Sequence, residues 1–192
     1  MGADKASIVV DGAPLLARTV AALLEVTACV VVAARAGQPL PPLDPRALVV
    51  VDPVDDRGPL AAIAAAEPSL ARAVDRVFVA STDLPRFHAA LVLALEARLG
   101  AREAAVPLVD GRAQPLVALY RRAALHRASS LVQAGERRAT ALVEACDARL
   151  VTALELASDP DLARLDPTLD ALVDVDTPEA LARLLAVSRP PR

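Results

Sequence analysis

Asparagine is missing from this 192-residue chain, and lysine occurs once, as Lys5, among 21 basic residues; the other twenty are arginine. Ala, Leu, Val, Arg and Asp crowd the remaining positions, a bias that points to genome base composition and not to a binding surface. Aromatic residues number three, Phe78, Phe87 and Tyr120. With 24 acidic residues the formal charge is −3, which excludes the basic stripe and stacking rings of a nucleic-acid surface. Apolar residues make up 55% of the chain, yet Arg, Asp, Glu or Pro breaks every run short of the roughly 20 residues that span a bilayer. The start, MGADKASIVVDG, lacks the basic segment and long apolar run of a signal peptide, and Ala6 stands where myristoylation wants Ser or Thr. Cys29 and Cys146 lie far apart without a CxxC pair or a nearby His, which reads as two buried thiols in a reducing cytoplasm. A cytoplasmic protein with no membrane and no nucleic-acid partner is expected.

What the chain does have is alternation. Pro14 suits the first turn of a helix running to Val26, and Cys29–Ala33 (CVVVA) is the continuous apolar run of a doubly covered strand. Residues 37–46 hold four prolines and form a loop. Strands follow at Ala47–Val51 and Arg76–Ala80, with a helix from Pro59 between them and another over Phe87–Leu99. Ala104–Leu108 and Gln114–Tyr120 flank the Asp110-Gly111 turn as a hairpin, which introduces one antiparallel strand. Helices at Arg122–Ala134 and Arg138–Ala145, a strand at Arg149–Leu154, a loop with a helical turn over 155–170 and a short strand at Ala171–Val175 complete the rhythm. Thr177 and Pro178 then open a last helix. Alternating strands and helices predict an α/β fold: a three-layer α/β/α, Rossmann-like domain on a mixed, mostly parallel sheet. No internal repeat or composition break divides it, so residues 1–187 are expected to form one domain, with 188–192 as a tail.

Ligands of open α/β sheets bind beyond the carboxyl ends of the strands. Asp52 closes ALVVV, Asp83 closes RVFVAST, and the short strand ALV runs into Asp174 and Asp176. Together with Lys5 these acids suit a polyphosphate and Mg²⁺, a hard cation that takes one or two protein carboxylates plus phosphate oxygens and water. A strand-end Asp serves equally as a turn former or helix cap, the role that Asp55 and Asp56 before Gly58 fit. A strand with a Gly-rich phosphate loop is not found in the chain. Met1-Gly2-Ala3-Asp4-Lys5 reads as the far end of such a loop.

Several segments in order resemble one family. Met1-Gly2-Ala3-Asp4-Lys5-Ala6 is similar to the end of LAGGxSxRMGxDKA, and Gly12-Ala13-Pro14-Leu15-Leu16 follows at the spacing usual there. Asp52 precedes Gly58-Pro59-Leu60, and Thr82-Asp83-Leu84-Pro85 is similar to CDMP. Asp110-Gly111-Arg112 with Gln114-Pro115-Leu116-Val117-Ala118-Leu119-Tyr120-Arg121 resembles DGRxQPLxALYR; Gly135-Glu136-Arg137-Arg138 and Asp174-Val175-Asp176-Thr177-Pro178-Glu179 close the series. The likeness, from residue 1 to about 186, is to the molybdenum cofactor guanylyltransferases, nucleotidyltransferases of the nucleotide-sugar pyrophosphorylase type.

The resemblance implies transfer of GMP from Mg²⁺-bound GTP to molybdopterin, releasing pyrophosphate. It gives Lys5 and Asp52 as nucleotide-binding residues, and Asp83 as the Mg²⁺ ligand; Lys5 and Asp83 are the catalytic pair. Asp174 and Asp176 stand where the family has Asn (NVNTPE), and Ala33 where it has another. Asp only accepts hydrogen bonds, whereas Asn also donates. Contact with the second substrate, metal binding and turn formation all stay open at Asp174 and Asp176. The implied partners are GTP, molybdopterin and a protein that delivers the pterin. His88 and His126 lie on predicted helices without partner motifs, and Arg121-Arg122 and Arg137-Arg138 read as solvated helix ends.

Two alternatives stand beside this. The DVDTPE ending is closer to cytidylyltransferases for the same pterin. The absent phosphate loop suits a nucleotide-binding or adaptor protein with impaired catalysis. That absence also takes a central strand from the sheet and leaves two neighbours with unpaired edges. We expect residues to precede Met1 in the full product, which in-frame codons upstream would reveal.

Overall fold

The computed structural model describes residues 5–52 and 58–173. A 3-10 turn at Lys5–Ser7 leads into a hairpin, β1 (Val9–Val10) against β2 (Ala13–Pro14), around Asp11 and Gly12 in left-handed conformation. Helix α1 (Leu15–Leu24) starts after Pro14 and buries Leu16, Val20, Leu23 and Leu24 at helical spacing. The next strand, β3 (Val30–Arg35), runs parallel to β4 (Ala47–Asp52) in register from Val30↔Ala47 to Arg35↔Asp52. Its return is made by the proline-rich loop, without a helix. Gly58 and Pro59 start α2 (Pro59–Ala66), which packs on both strands.

The larger sheet carries the rest. Strand β5 (Arg76–Ala80) is followed by α3 (Ala89–Leu99), β6 (Ala104–Val109), the short β7 (Arg112–Ala113), β8 (Val117–Arg121), α4 (Arg122–Gln133), α5 (Thr140–Glu144) and β9 (Ala148–Thr152). Strand β8 lies antiparallel between β5 and β6, while β9 runs parallel to β6 on its far edge. Thus β5, β6 and β9 share one direction, and β8 is the antiparallel strand expected from the DGR turn.

Alternation along the strands shows that the sheet is covered twice. Val117 and Leu119 of β8 pack with Leu91 and Leu95 of α3, whereas Ala118 and Tyr120 pack with Leu60 and Ile63 of α2 and Leu125 of α4. The period of two puts consecutive residues on opposite faces, and helices cover both. The α/β/α layering is therefore as expected. Helices also tie the two sheets together: Ile63 of α2 packs in the cluster that holds Val77 and Val79, and Val30 packs in the one that holds Phe78 and Ala80. Among the described residues, β3 pairs only with β4 and β5 only with β8, so each has one edge without a strand.

Three expectations need correction. Residues 155–170 are largely helical, as α6 (Ala153–Ala157) and α7 (Pro160–Leu165). Thr152 and Glu155 form a reciprocal capping box, and Asp159 caps α7 with Pro160 in its first turn. No strand begins at Ala171. Asp170–Leu172 is a 3-10 turn, because the Asp166 carboxylate accepts hydrogen bonds from the backbone N–H groups of Asp170 and Ala171, both at 2.8 Å. Finally, Cys29 is exposed, and only Cys146 is partly buried, its thiol pushed up to about 11 by burial and by Glu103.

Candidate functional site

Strand β5 delivers the strongest candidate. Beyond Ala80 the backbone N–H of Ser81 donates to the Leu116 carbonyl at 2.7 Å, which fixes the strand end to the segment entering β8. The Ser81 hydroxyl donates to Asp83 Oδ1. Buried Leu84 and Phe87 anchor the following turn, with Phe87 against Phe78 at 5.6 Å between ring centroids. Asp83 is half-buried between these anchors, where the sequence put it.

Asp52 ends β4 opposite Arg35, so its backbone also stands at the carboxyl end of a parallel pair. Lys5 opens the 3-10 turn whose Ala6 is buried against Leu16, Val20, Leu24 and Val32, which ties that turn to α1 and β3. Asp174 and Asp176 lie outside the described residues.

Among the described residues no group of three or more His, Cys, Asp or Glu side chains gathers as a metal site. A single carboxylate suffices for a Mg²⁺ bound chiefly through substrate phosphates and water. An ionised carboxyl has acceptor positions beyond the one that Ser81 uses, so Asp83 fits that part.

The basic pairs divide. Arg121 donates to Asp75 at 2.7 Å and to the Gly100 carbonyl at 3.0 Å; Arg122 donates to Glu67 and to the Ala71 carbonyl, both at 2.7 Å. They are clamps between elements, not free helix ends. Glu67 also lies 2.9 Å from His126. Glu136 organises its own loop: its carboxylate accepts from the guanidinium of Arg138 and from the backbone N–H groups of Arg138 and Arg137, which hold its carboxyl down to about 2. The Gln114–Tyr120 stretch is braced by the Tyr120 hydroxyl, which donates to the Pro115 carbonyl at 2.9 Å.

The sequence did not reveal a cleft of about 420 Å³ that opens two residues beyond Asp83. Arg18, Pro85, Arg86, His88, Asp166 and Asp170 contribute to its walls. His88 Nε2 lies 3.5 Å from Asp166 Oδ2, Arg86 Nε 3.9 Å from Asp170 Oδ2 and Arg18 Nη1 3.4 Å from Asp11 Oδ2. The three pairs are separated by 78, 84 and 7 positions in sequence and carry no local motif. Burial raises the Asp166 carboxyl, but His88 and the backbone N–H groups of Ala171 and Asp170 outweigh it and leave the group below its usual range.

The model of the MobA-like NTP transferase domain matches residues 1–152. The chain belongs to that family. A Mycobacterium tuberculosis protein named "Probable molybdenum cofactor guanylyltransferase" is 39% identical over 158 residues, covering 80% of this chain and 78% of its own. A Mycobacterium ulcerans protein of the same name is 33% identical over 174 residues, 88% of this chain and 84% of its own. Among solved structures, molybdopterin-guanine dinucleotide biosynthesis protein A from Archaeoglobus fulgidus superposes with a TM-score of 0.73 at 19% identity, over 97% of this chain and 91% of that one. The 2-C-methyl-D-erythritol 4-phosphate cytidylyltransferase of Thermus thermophilus superposes with a TM-score of 0.69 at 20% identity, over 95% and 92%. These two likenesses establish the α/β nucleotidyltransferase fold. As a MobA-like NTP transferase, the chain is an enzyme of nucleotidyl transfer, and the carboxyl end of β5 is the place in that fold to seek its chemistry.

Proposed function

We propose that this MobA-like transferase moves GMP from GTP to molybdopterin and releases pyrophosphate. The observation that carries the reading is the kinship with the mycobacterial guanylyltransferases across 80% of the chain, joined to Asp83 standing at the end of β5. An oxygen of the molybdopterin phosphate bonds to the α-phosphorus of GTP; the bond from that phosphorus to the β-bridging oxygen breaks, and pyrophosphate leaves with the electron pair. The nucleophile is already an anion, so no side chain has to remove a proton. The chain's task is to hold two polyanions in line and to offset the charge that gathers on the phosphoryl oxygens.

Asp83 would hold Mg²⁺, which supplies charge neutralisation at the phosphates. Lys5 would bind phosphate as a compact point charge, Asp52 would bind GTP, and Asp174 and Asp176 are proposed to meet the second substrate. The proposal includes a single domain over residues 1–187, a cytoplasmic setting and a protein donor for the pterin. Incubation with magnesium, molybdopterin and either GTP or CTP tests it by pyrophosphate release. Turnover with GTP is expected; turnover with CTP alone would make the chain a cytidylyltransferase, and none with either would leave a nucleotide-binding protein.

A further inference from the structure

The sheet lets go of its chain just before Asp83. The last ladder pair of β5 joins Ala80 to Val117, and the Ser81 N–H then reaches the Leu116 carbonyl at 2.7 Å. Asp83 stands two residues further on, in the turn that follows. The last torsion of an aspartate is broad, so the side chain's own rotamer does not aim its oxygens. The half-buried Ser81 hydroxyl does aim one of them, because it donates to Asp83 Oδ1. Hydrogen bonds to a carboxylate are roughly twice as strong as those between neutral groups.

The far side of Ser81 is braced in turn. The segment that supplies the Leu116 carbonyl is tied to β6 through the Gln114 N–H, which donates to the Pro107 carbonyl at 2.9 Å. The Val117 N–H closes the segment on the Gln114 carbonyl at 3.1 Å, and the hydroxyl of buried Tyr120 donates to the Pro115 carbonyl at 2.9 Å. A continuous run of hydrogen bonds thus leads from the core of β8 to one carboxylate oxygen beyond the end of β5.

We infer that Ser81 is a positioning residue for Mg²⁺: its hydroxyl passes the order of the β8 entry segment to the Asp83 carboxylate and so sets how readily the metal is taken up. The inference rests on the reading of Asp83 as the residue that holds the metal. A carboxylate already fixed in one orientation gives up less side-chain freedom when a cation arrives, and partners that hydrogen-bond to a metal-binding group typically count for about 10–100-fold in metal affinity or activity. The competing role for Ser81 is that of a plain turn former, which would make its hydroxyl matter to stability and not to the metal.

The two roles separate in the binding of α,β-methylene-GTP, an analogue that cannot release pyrophosphate, measured on the full chain by calorimetry over a series of Mg²⁺ concentrations. Mg²⁺ is expected to tighten binding to wild type. Ser81→Ala is expected to need about tenfold more Mg²⁺ for the same gain, while its affinity in EDTA and its melting temperature hold. Ser81→Thr keeps a hydroxyl on the same carbon and is expected to follow wild type. In pyrophosphate release, the alanine variant should regain wild-type kcat at high Mg²⁺. A wild-type Mg²⁺ curve in Ser81→Ala overturns the inference, whether or not the melting temperature falls, and so does a shift that Ser81→Thr shares. If Asp83→Ala has meanwhile lost the Mg²⁺ response, the metal reading survives that failure. A Mg²⁺ response that persists in Asp83→Ala, or is missing from wild type, overturns the metal reading and takes the inference with it.

Discussion

A Cβ added to Gly58 would stand 2.8 Å from the carbonyl oxygen of Arg137. Gly58 has φ 78° and ψ 176°, a region of backbone space open essentially to glycine. The segment after β4 thus abuts the Glu136-organised loop with no room for a side chain, and the obstructing atom is backbone. Gly58→Ala is expected to lower stability by about 1–3 kcal/mol, read as a shift of the urea midpoint at unchanged slope. An unchanged midpoint would show that the two segments part easily.

Asp83→Ala is expected to abolish Mg²⁺-dependent transfer, by at least about 100-fold, while circular dichroism and melting stay close to wild type. The side chain is only half-buried, and Leu84 and Phe87 secure the turn without it. The control is Ser81→Ala, which removes the hydroxyl that orients Asp83 and should cost far less. Transfer retained in Asp83→Ala would mean that the metal is held elsewhere.

Where the sequence was legible, one physical signal dominated. The apolar runs ALVVV, at Ala47–Val51, and RVFVA, at Arg76–Ala80, became β4 and β5 because their β-branched and aromatic residues favour extended backbone, although Leu48, Val49 and Val51 of β4 are exposed, and the acids that follow them marked the carboxyl ends. The DGR turn announced β8 through the positive φ that Asp110 and Gly111 adopt. The segment over 155–170 was misread because its helices are five and six residues long, too short to show a period. Their caps were the usable signal. The cleft was illegible for another reason: Arg18, His88 and Asp166 meet only through tertiary packing, and no spacing rule connects a helix, a turn and a loop so far apart in sequence.

Acid should loosen the chain through its caps. The Glu155 carboxyl is held at about 2 against an ordinary 4.5, first by the backbone N–H of Thr152, then by the Thr152 hydroxyl and Arg149. A carboxyl lowered in the folded state contributes its stability fully above the unfolded value and loses it as pH falls. The loss should therefore run from about 4.5 down to about 2, the same window in which Glu136 is protonated. Glu155→Gln is expected to lower the melting temperature at neutral pH and to flatten its fall over that window. A variant that follows the wild-type acid curve would remove Glu155 from the account.

The alkaline side is set by Tyr120, the single tyrosine in a chain without tryptophan. Its ring is fully buried under α2 and α4, its hydroxyl donates to the Pro115 carbonyl at 2.9 Å, and burial, helped by Cys146, raises the phenol well above its ordinary 10.0. The folded chain therefore keeps the proton where the unfolded chain releases it. Stability from this group is complete below about 10 and falls as pH rises beyond it. Tyrosinate absorbance should appear only together with the loss of circular dichroism, not before it. Tyr120→Phe should cost about 1 kcal/mol at neutral pH for the lost hydrogen bond and should weaken the alkaline fall. Ionisation that precedes unfolding would mean that the phenol reaches water in the native state, and the β8 face would then be open where the structure closes it.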